Sequence, residues 1–548
     1  MRQNFVRLIA VLGIVAMLFS GCQSLEQWAQ GRLDELVQPS PTQQYTHFSK
    51  MVYSRPDLKE FETAKQRLDQ VLLTKNNVHG VIDRIEVFWP LYDRFYTNLN
   101  LAFVHYCADI TDPYWGEEYA FCTENEAVVE AAMDQMLRTL AASDYRDSLE
   151  KLYFGEDYLS YYDGQTIWDE TYMALAEEEA KLQNRYMELA SQAMAVEYYS
   201  DAYFTQYGSQ MAQLLVELVA VRQEMTQYLG YESYQQMAYE GFYYRDYTPN
   251  QAKQYCQTVG KELTQIYKQV MLAASVWEEE TVPCTEEETF LYVKSGAKNM
   301  GGVIEDGFTL LENAQMYDIS YGENKYNASF ELYFSRWEQP FVFTSPYLEQ
   351  YDKLVFSHEF GHFLNDYVCG GSYAGEDVAE VHSGGMEYLC LLYADGGEQL
   401  ELYKLADSLC IFVEQAAYSL FELELYSLSE AELTVENVQK LYTRIGEEFG
   451  FDSWEWDPRD YVTIPHLYSN PMYMISYVVS NDVAMQIYQQ EKTQPGQGLA
   501  TYKQCLESEE SYIVQFTEDY GLEDPFHPDR ISHIRQTFES AFQKLIGE

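Results

Sequence analysis

Two histidines stand four residues apart, with a glutamate directly after the first, in His358-Glu359-Phe360-Gly361-His362. On an α-helix, residues four apart differ by about 40° in direction and about 6 Å in height, so the two imidazoles project from one face and can share one metal ion. Glu359 lies about 100° around from His358. That position reaches a water at the common point but suits a third ligand poorly, which is what a general base requires. A catalytic zinc takes three protein ligands and keeps one position open, so a third donor must come from elsewhere. The segment "GEDVAEVHSGGMEYL", residues 375–389, supplies candidates. Glu380 and Glu387 are two helical turns apart and point in nearly the same direction, with Asp377 close to that face. Glu387 is expected to ligate the metal. Glu380 and Asp377 are expected behind it, accepting hydrogen bonds from the free ring nitrogens of His358 or His362 and so fixing their tautomers. Gly384 and Gly385 each cost about 1 kcal/mol in a helix relative to Ala, which predicts a close approach there by the helix that carries the histidines.

A second group lies downstream in "TIPHLYSNPMYMISYVVS". Hydrolysis of a carbonyl develops negative charge on oxygen, and a tyrosine hydroxyl or an imidazole N–H aimed at that charge stabilises it. The segment holds four groups of this kind, His466, Tyr468, Tyr473 and Tyr477, in a chain rich in tyrosine, and the segment alone does not rank them.

The elements that must position these residues follow from periodicity. From about residue 47 to 290 apolar residues recur three and four apart, as in "GSQMAQLLVELVAVRQEMTQYLGY", which predicts a helical N-terminal region. The period changes in "KYNASFELYFSRWEQPFVFTS", rich in aromatic and β-branched residues, and strands are expected at residues 328–333 and 341–343. Helices then resume, so a small sheet directly precedes the histidine helix within a region spanning residues 291–548.

Charge and composition narrow the partners. Eighty-seven Asp and Glu against 35 Lys and Arg leave a formal net charge of −52, which excludes nucleic acid and repels an anionic membrane surface. Residues 1–21 carry Arg2 and Arg7, an apolar run from Leu8 to Phe19, and small Ser20 and Gly21. This reads as an export signal too short to span a bilayer. Leu18-Phe19-Ser20-Gly21-Cys22 is similar to the lipobox of bacterial lipoproteins, so Cys22 is expected to carry acyl chains and residues 22–46 to form a polar tether. The other eight cysteines contain no CxxC pair, and most are expected to be buried small hydrophobes.

Together, His358-Glu359-Phe360-Gly361-His362, Glu387 twenty-five residues after the second histidine, and the run Asp377-Val-Ala-Glu380-Val-His-Ser383-Gly-Gly-Met386-Glu387 resemble the thimet oligopeptidase and oligoendopeptidase F family of zinc metallopeptidases. "ASFELYFSRWEQPFVF" resembles that family's substrate-binding edge strand, and "VAVRQEMTQYLGYESYQQMAY" its Arg-containing helix and Leu-Gly-Tyr turn. The resemblance covers about residues 216–490. It implies a mainly α, zincin-like ellipsoid with a deep substrate channel and a small β-sheet beside the active-site helix, the N-terminal region forming one wall. It further implies one zinc per chain on His358, His362 and Glu387, Glu359 as the base, and oxyanion contacts from His466 with Tyr473 or Tyr477. The substrates implied are short unstructured peptides, paired with the strand that begins at Ala328, Ser329 and Phe330. With the lipid anchor, this describes an oligopeptidase held outside the cell on a bacterial membrane. The alternative is a surface lipoprotein that binds peptides without cleaving them.

Overall fold

The computed structural model describes residues 45–546 apart from 156, 164–169, 194, 195, 197–199, 274–281, 372–374, 453–455 and 509. The expected signal and the Cys22 lipidation site lie outside the described residues, and of the tether only residues 45 and 46 are described. The elements that bear on the site are, in chain order, α1 (Phe88–Ala108), α2 (Ser209–Leu229), β1 (Tyr317–Asp318), β2 (Phe330–Phe334), β3 (Gln339–Phe343), α3 (Asp352–Cys369), α4 (Glu376–Tyr393), α5 (Glu401–Cys410), α6 (Ala416–Leu425), α7 (Met474–Thr493) and α8 (Gln497–Cys505). The architecture is mainly α with one three-stranded sheet, as expected, and β2 and β3 pack directly against the histidine helix α3.

The sheet runs β1-β3-β2, with β1 parallel and β2 antiparallel to β3. The strands expected at 328–333 and 341–343 fall at 330–334 and 339–343, and the short β1 was not expected. Val342 and Thr344 donate to Met316 and Asp318 on the β1 side. Neighbouring residues on a strand face opposite edges, so Pro340 also turns toward that side. It lies beyond the end of β1, where its missing N–H breaks no ladder bond. The same alternation turns the backbone of Glu331 and Tyr333 outward from the sheet. Asn100 of α1 occupies part of this edge, donating to the Tyr333 carbonyl at 3.0 Å.

Among the described residues, two hydrophobic cores form. The smaller gathers Phe61, Leu68, Phe88, Phe95, Met133 and Leu149 from the early helices. The larger runs from Met51 to Phe542 and includes Phe356, Phe360 and Phe363 of α3 with Met386 and Leu389 of α4. The helix ends are set locally. Asp352, the first residue of α3, accepts from Tyr347 N at 3.0 Å and Glu349 N at 3.1 Å. Gly370 closes α3 with φ 68°, a conformation glycine adopts without a Cβ penalty. All eight described cysteines are free thiols, seven of them buried and Cys369 half-buried, in keeping with their expected role as small hydrophobes.

Candidate active site

Helices α3 and α4 form an antiparallel hairpin whose register is set at one contact. A Cβ built on Gly361 would lie 2.5 Å from His382 O and 2.6 Å from Ser383 Cα, so the two backbones meet there and only glycine fits. The close approach expected at Gly384 and Gly385 is not to this helix. Gly384 faces Ala484 of α7 and Gly385 faces the Tyr502 ring of α8, because the far side of α4 is packed by those helices.

With that register, His358, His362 and Glu380 each bring one ligand atom within 4.8 Å of the others. This corrects the expected assignment of the two glutamates. Glu380, one turn before the crossing, reaches into the space between the two histidines. Glu387, one turn beyond it, comes up behind His358, with its Oε1 2.9 Å from His358 Nδ1. The two ring nitrogens of His358 therefore face different glutamates, since Nε2 is 3.4 Å from Glu380 Oε2. Nε2 is buried and has no hydrogen-bond partner, so this nitrogen aims unsatisfied into the group. Two imidazole nitrogens and one carboxylate are a donor set of the kind that holds zinc and leaves a position open.

Asp377 does not reach either histidine. It accepts from the hydroxyls of Tyr247, at 2.8 Å, and Ser476, and pairs with the buried Arg245 guanidinium at 3.4 Å. Arg245 is in turn enclosed by the rings of Tyr239, Tyr243 and Tyr247. Asp377 thus fastens the start of α4 to α7 and to the chain before residue 249.

The electrostatics divide the site. Burial works against the charged form of His358, but the carboxylates of Glu380 and Glu387 beside its two ring nitrogens prevail and raise its pKa well above the usual value. Burial pushes Glu380 upward too, yet the neighbouring His358 holds it down at about 2. Burial takes His362 down to about 4. Glu359 is raised to about 8, chiefly by burial and only partly offset by His358.

His466 is fully buried, and burial pushes its pKa to about 4. Its Nε2 lies 3.4 Å from the Tyr477 hydroxyl, and its ring stacks on Tyr473 at 5.2 Å. Tyr473 donates to Glu380 Oε1 at 2.7 Å, so this tyrosine is engaged with the carboxylate of the three-residue group. Tyr468 is turned away, stacking on Tyr186 at 3.6 Å and donating to Met211 O at 3.1 Å. The segment that carries these residues is held by distant side chains. Arg222 of α2 donates to the carbonyls of Leu467 and Tyr468, Gln183 to Tyr468 O at 3.2 Å, and Tyr243 to Pro471 O at 2.9 Å. Glu422 of α6 accepts from Met472 N at 2.9 Å, and Met472 itself takes φ 71°, a left-handed conformation that costs a non-glycine residue.

The residues expected to bind substrate are largely internal. Ala328 and Ser329 precede β2 and are buried, and the Phe330 ring packs on Phe343 and Phe103. Glu331, like Tyr333, is a strand residue whose backbone faces outward. Its side chain is paired with Asp366 of α3, and burial raises both carboxyls, Asp366 to about 7. Sequence reasoning also missed Lys404, whose Nζ lies 2.8 Å from Glu387 Oε2 and 3.1 Å from Asp407 Oδ2. No local pattern marks it, because it arrives from a separate helix.

Residues 48–166 match the Peptidase M3 N-terminal domain. Among solved structures, one described as an oligoendopeptidase F from Bacillus anthracis is 17% identical, covers 92% of this chain and 99% of its own, and superposes with a TM-score of 0.73. A PZ peptidase A with an inhibitor is similar at 17% identity, 91% and 99% coverage and a TM-score of 0.75. An oligoendopeptidase F from Enterococcus faecium is similar at 16%, 89% and 96% coverage and a TM-score of 0.52. No curated protein matches the chain.

Proposed function

We propose that the chain, whose residues 48–166 match the Peptidase M3 N-terminal domain and whose fold is similar to solved oligoendopeptidase F structures, is a zinc-dependent endopeptidase of short unstructured peptides. The observation that carries this reading is the convergence of His358, His362 and Glu380, with Glu359 beside them on the same helix as the histidines. Zinc held by these three residues supplies Lewis acidity and lowers the pKa of water.

The chain's own groups do the rest. Glu359 takes a proton from the attacking water and returns it to the departing amine, a task for which a carboxyl lifted toward neutrality is matched. Tyr473 holds Glu380 in orientation through its 2.7 Å hydrogen bond, which leaves His466 and Tyr477 as the donors for the developing oxyanion. Burial keeps the Tyr477 proton in place well above neutral pH, so its hydroxyl remains a donor. The peptide adds to the sheet along the outward backbone of Glu331, with Asn100 marking the end of the available edge at Tyr333. The location follows from the same reading, with Cys22 acylated and the folded body outside the cell on its tether.

Glu359→Gln tests the proposal. The variant should bind zinc as the parent does while hydrolysis of a quenched peptide falls by roughly 10²–10⁴-fold. A parent protein that purifies without zinc and ignores chelators, or a variant that keeps its turnover, would overturn it. A parent protein that binds peptide without hydrolysing it would favour a non-catalytic binding lipoprotein.

A further inference from the structure

Glu387 is the hydrogen-bond partner of a proposed metal ligand, and what holds that partner in place lies outside the motif. Its Oε1 faces His358 Nδ1 at 2.9 Å and its Oε2 faces Lys404 Nζ at 2.8 Å. Lys404, on α5, is 2% exposed and also contacts Asp407 Oδ2 at 3.1 Å, one turn along the same helix. The ammonium sits 5.6 Å from the centre of the Tyr388 ring, whose hydroxyl is bonded to Ser408 and Asn481. The result is a buried line of alternating charge, Asp407, Lys404, Glu387, His358, connecting α5 through α4 to α3.

Lys404 and His358 occupy the two oxygens of Glu387, so the ammonium anchors Oε2 and the carboxylate is held with Oε1 aimed at Nδ1. A carboxylate in that position accepts, so neutral His358 carries its proton on Nδ1 and presents the Nε2 lone pair to the space it shares with His362 and Glu380. Without the ammonium the carboxylate loses the contact that fixes its rotation, and with it the aim of Oε1 at the ring.

We propose that Lys404, paired with Asp407, is a positioning residue for zinc binding, acting through Glu387 to fix the tautomer of His358. The inference rests on the zinc-peptidase reading above, and zinc affinity of the unaltered protein separates the two. If the parent does not bind zinc, that reading fails. If the parent binds and Lys404 is irrelevant, only this inference fails.

The experiment measures zinc affinity by competition with a chromophoric chelator for the full chain, alongside the ligand-field spectrum of the cobalt-substituted protein. Lys404→Met should weaken zinc binding about 10–100-fold, the range found when partners of ligating histidines are lost, and alter the cobalt spectrum. Lys404→Arg should restore most of the affinity. In a Glu387→Gln background, where the carboxylate that Lys404 anchors is already gone, Lys404→Met should cause no further loss. Should Lys404→Met fail to fold because Asp407 is left without its cation, the double variant Lys404→Met/Asp407→Asn removes both charges and takes its place. Zinc affinity within twofold of the parent, an unchanged cobalt spectrum, or full additivity with Glu387→Gln would overturn the proposal.

Discussion

Gly361→Ala isolates the contact on which the site geometry depends. The added methyl would stand 2.5 Å from His382 O and 2.6 Å from Ser383 Cα, against 3.4 Å or more for an ordinary contact. Both obstacles are backbone atoms, so no side chain can swing away, and α3 and α4 must separate by roughly 0.9 Å or bend. Such overpacking costs about 1–3 kcal/mol. In a cooperative unit of about 500 residues that lowers Tm by only about 1 °C per kcal/mol. The site is far less tolerant. His358 and His362 ride on α3 and Glu380 on α4, so the same shift enters the ligand separations directly, whereas metal–ligand distances hold to about 0.2 Å. The variant should therefore melt within about 3 °C of the parent while zinc affinity falls by at least tenfold. Differential scanning calorimetry and chelator competition on the same preparations check this. A Gly361→Ala protein that binds zinc with parental affinity would refute the reasoning that this glycine sets the distance between the histidines and Glu380.

Three further outcomes follow from the same structure. Tyr473→Phe removes the donor to Glu380 and should weaken zinc binding by about tenfold or more; unchanged zinc affinity with a fall in kcat would instead place this hydroxyl on the substrate. Glu422 is buried and, chiefly for that reason, raised to about 8, so the folded chain holds a proton that the unfolded chain releases near its ordinary value of 4.5. The folded state then binds more protons, and stability falls as pH rises through this window by up to about 1.4 kcal/mol per unit from this one group. Glu422→Gln should flatten the decline in Tm between about pH 5 and 8 while still accepting from Met472 N, and parallel curves for the two proteins would count against it. Cys22→Ser should abolish metabolic labelling with a fatty acid and release the protein from the membrane fraction, and a labelled, membrane-bound variant would remove the lipid anchor from the account.

Much of the site was legible because it is local. A spacing of four on a helix puts His358 and His362 on one face whatever surrounds them, and the residue between them with a carboxylate is confined to the adjacent face. The aromatic and β-branched run announced a sheet beside that helix, and Pro340 between its two halves was compatible with a strand because it faces the short side of the ladder. The helical character of the long N-terminal part followed from periodicity in the same way.

The choice between Glu380 and Glu387 was not local. The two lie two turns apart on one helix and point the same way, so periodicity cannot rank them. Their roles are decided by where α4 crosses α3, which Gly361 fixes, and by which ring nitrogen of His358 each carboxylate then meets. The cation that holds Glu387 in its place comes from Lys404 on α5, and the carbonyls of the His466 segment are held by Arg222, some 245 residues earlier in the chain. From the sequence come the imidazole pair and the carboxylate beside it, because one helix suffices to align them. The third donor and the donors' orientation belong to the tertiary structure, because they depend on backbones and charges that only packing brings together.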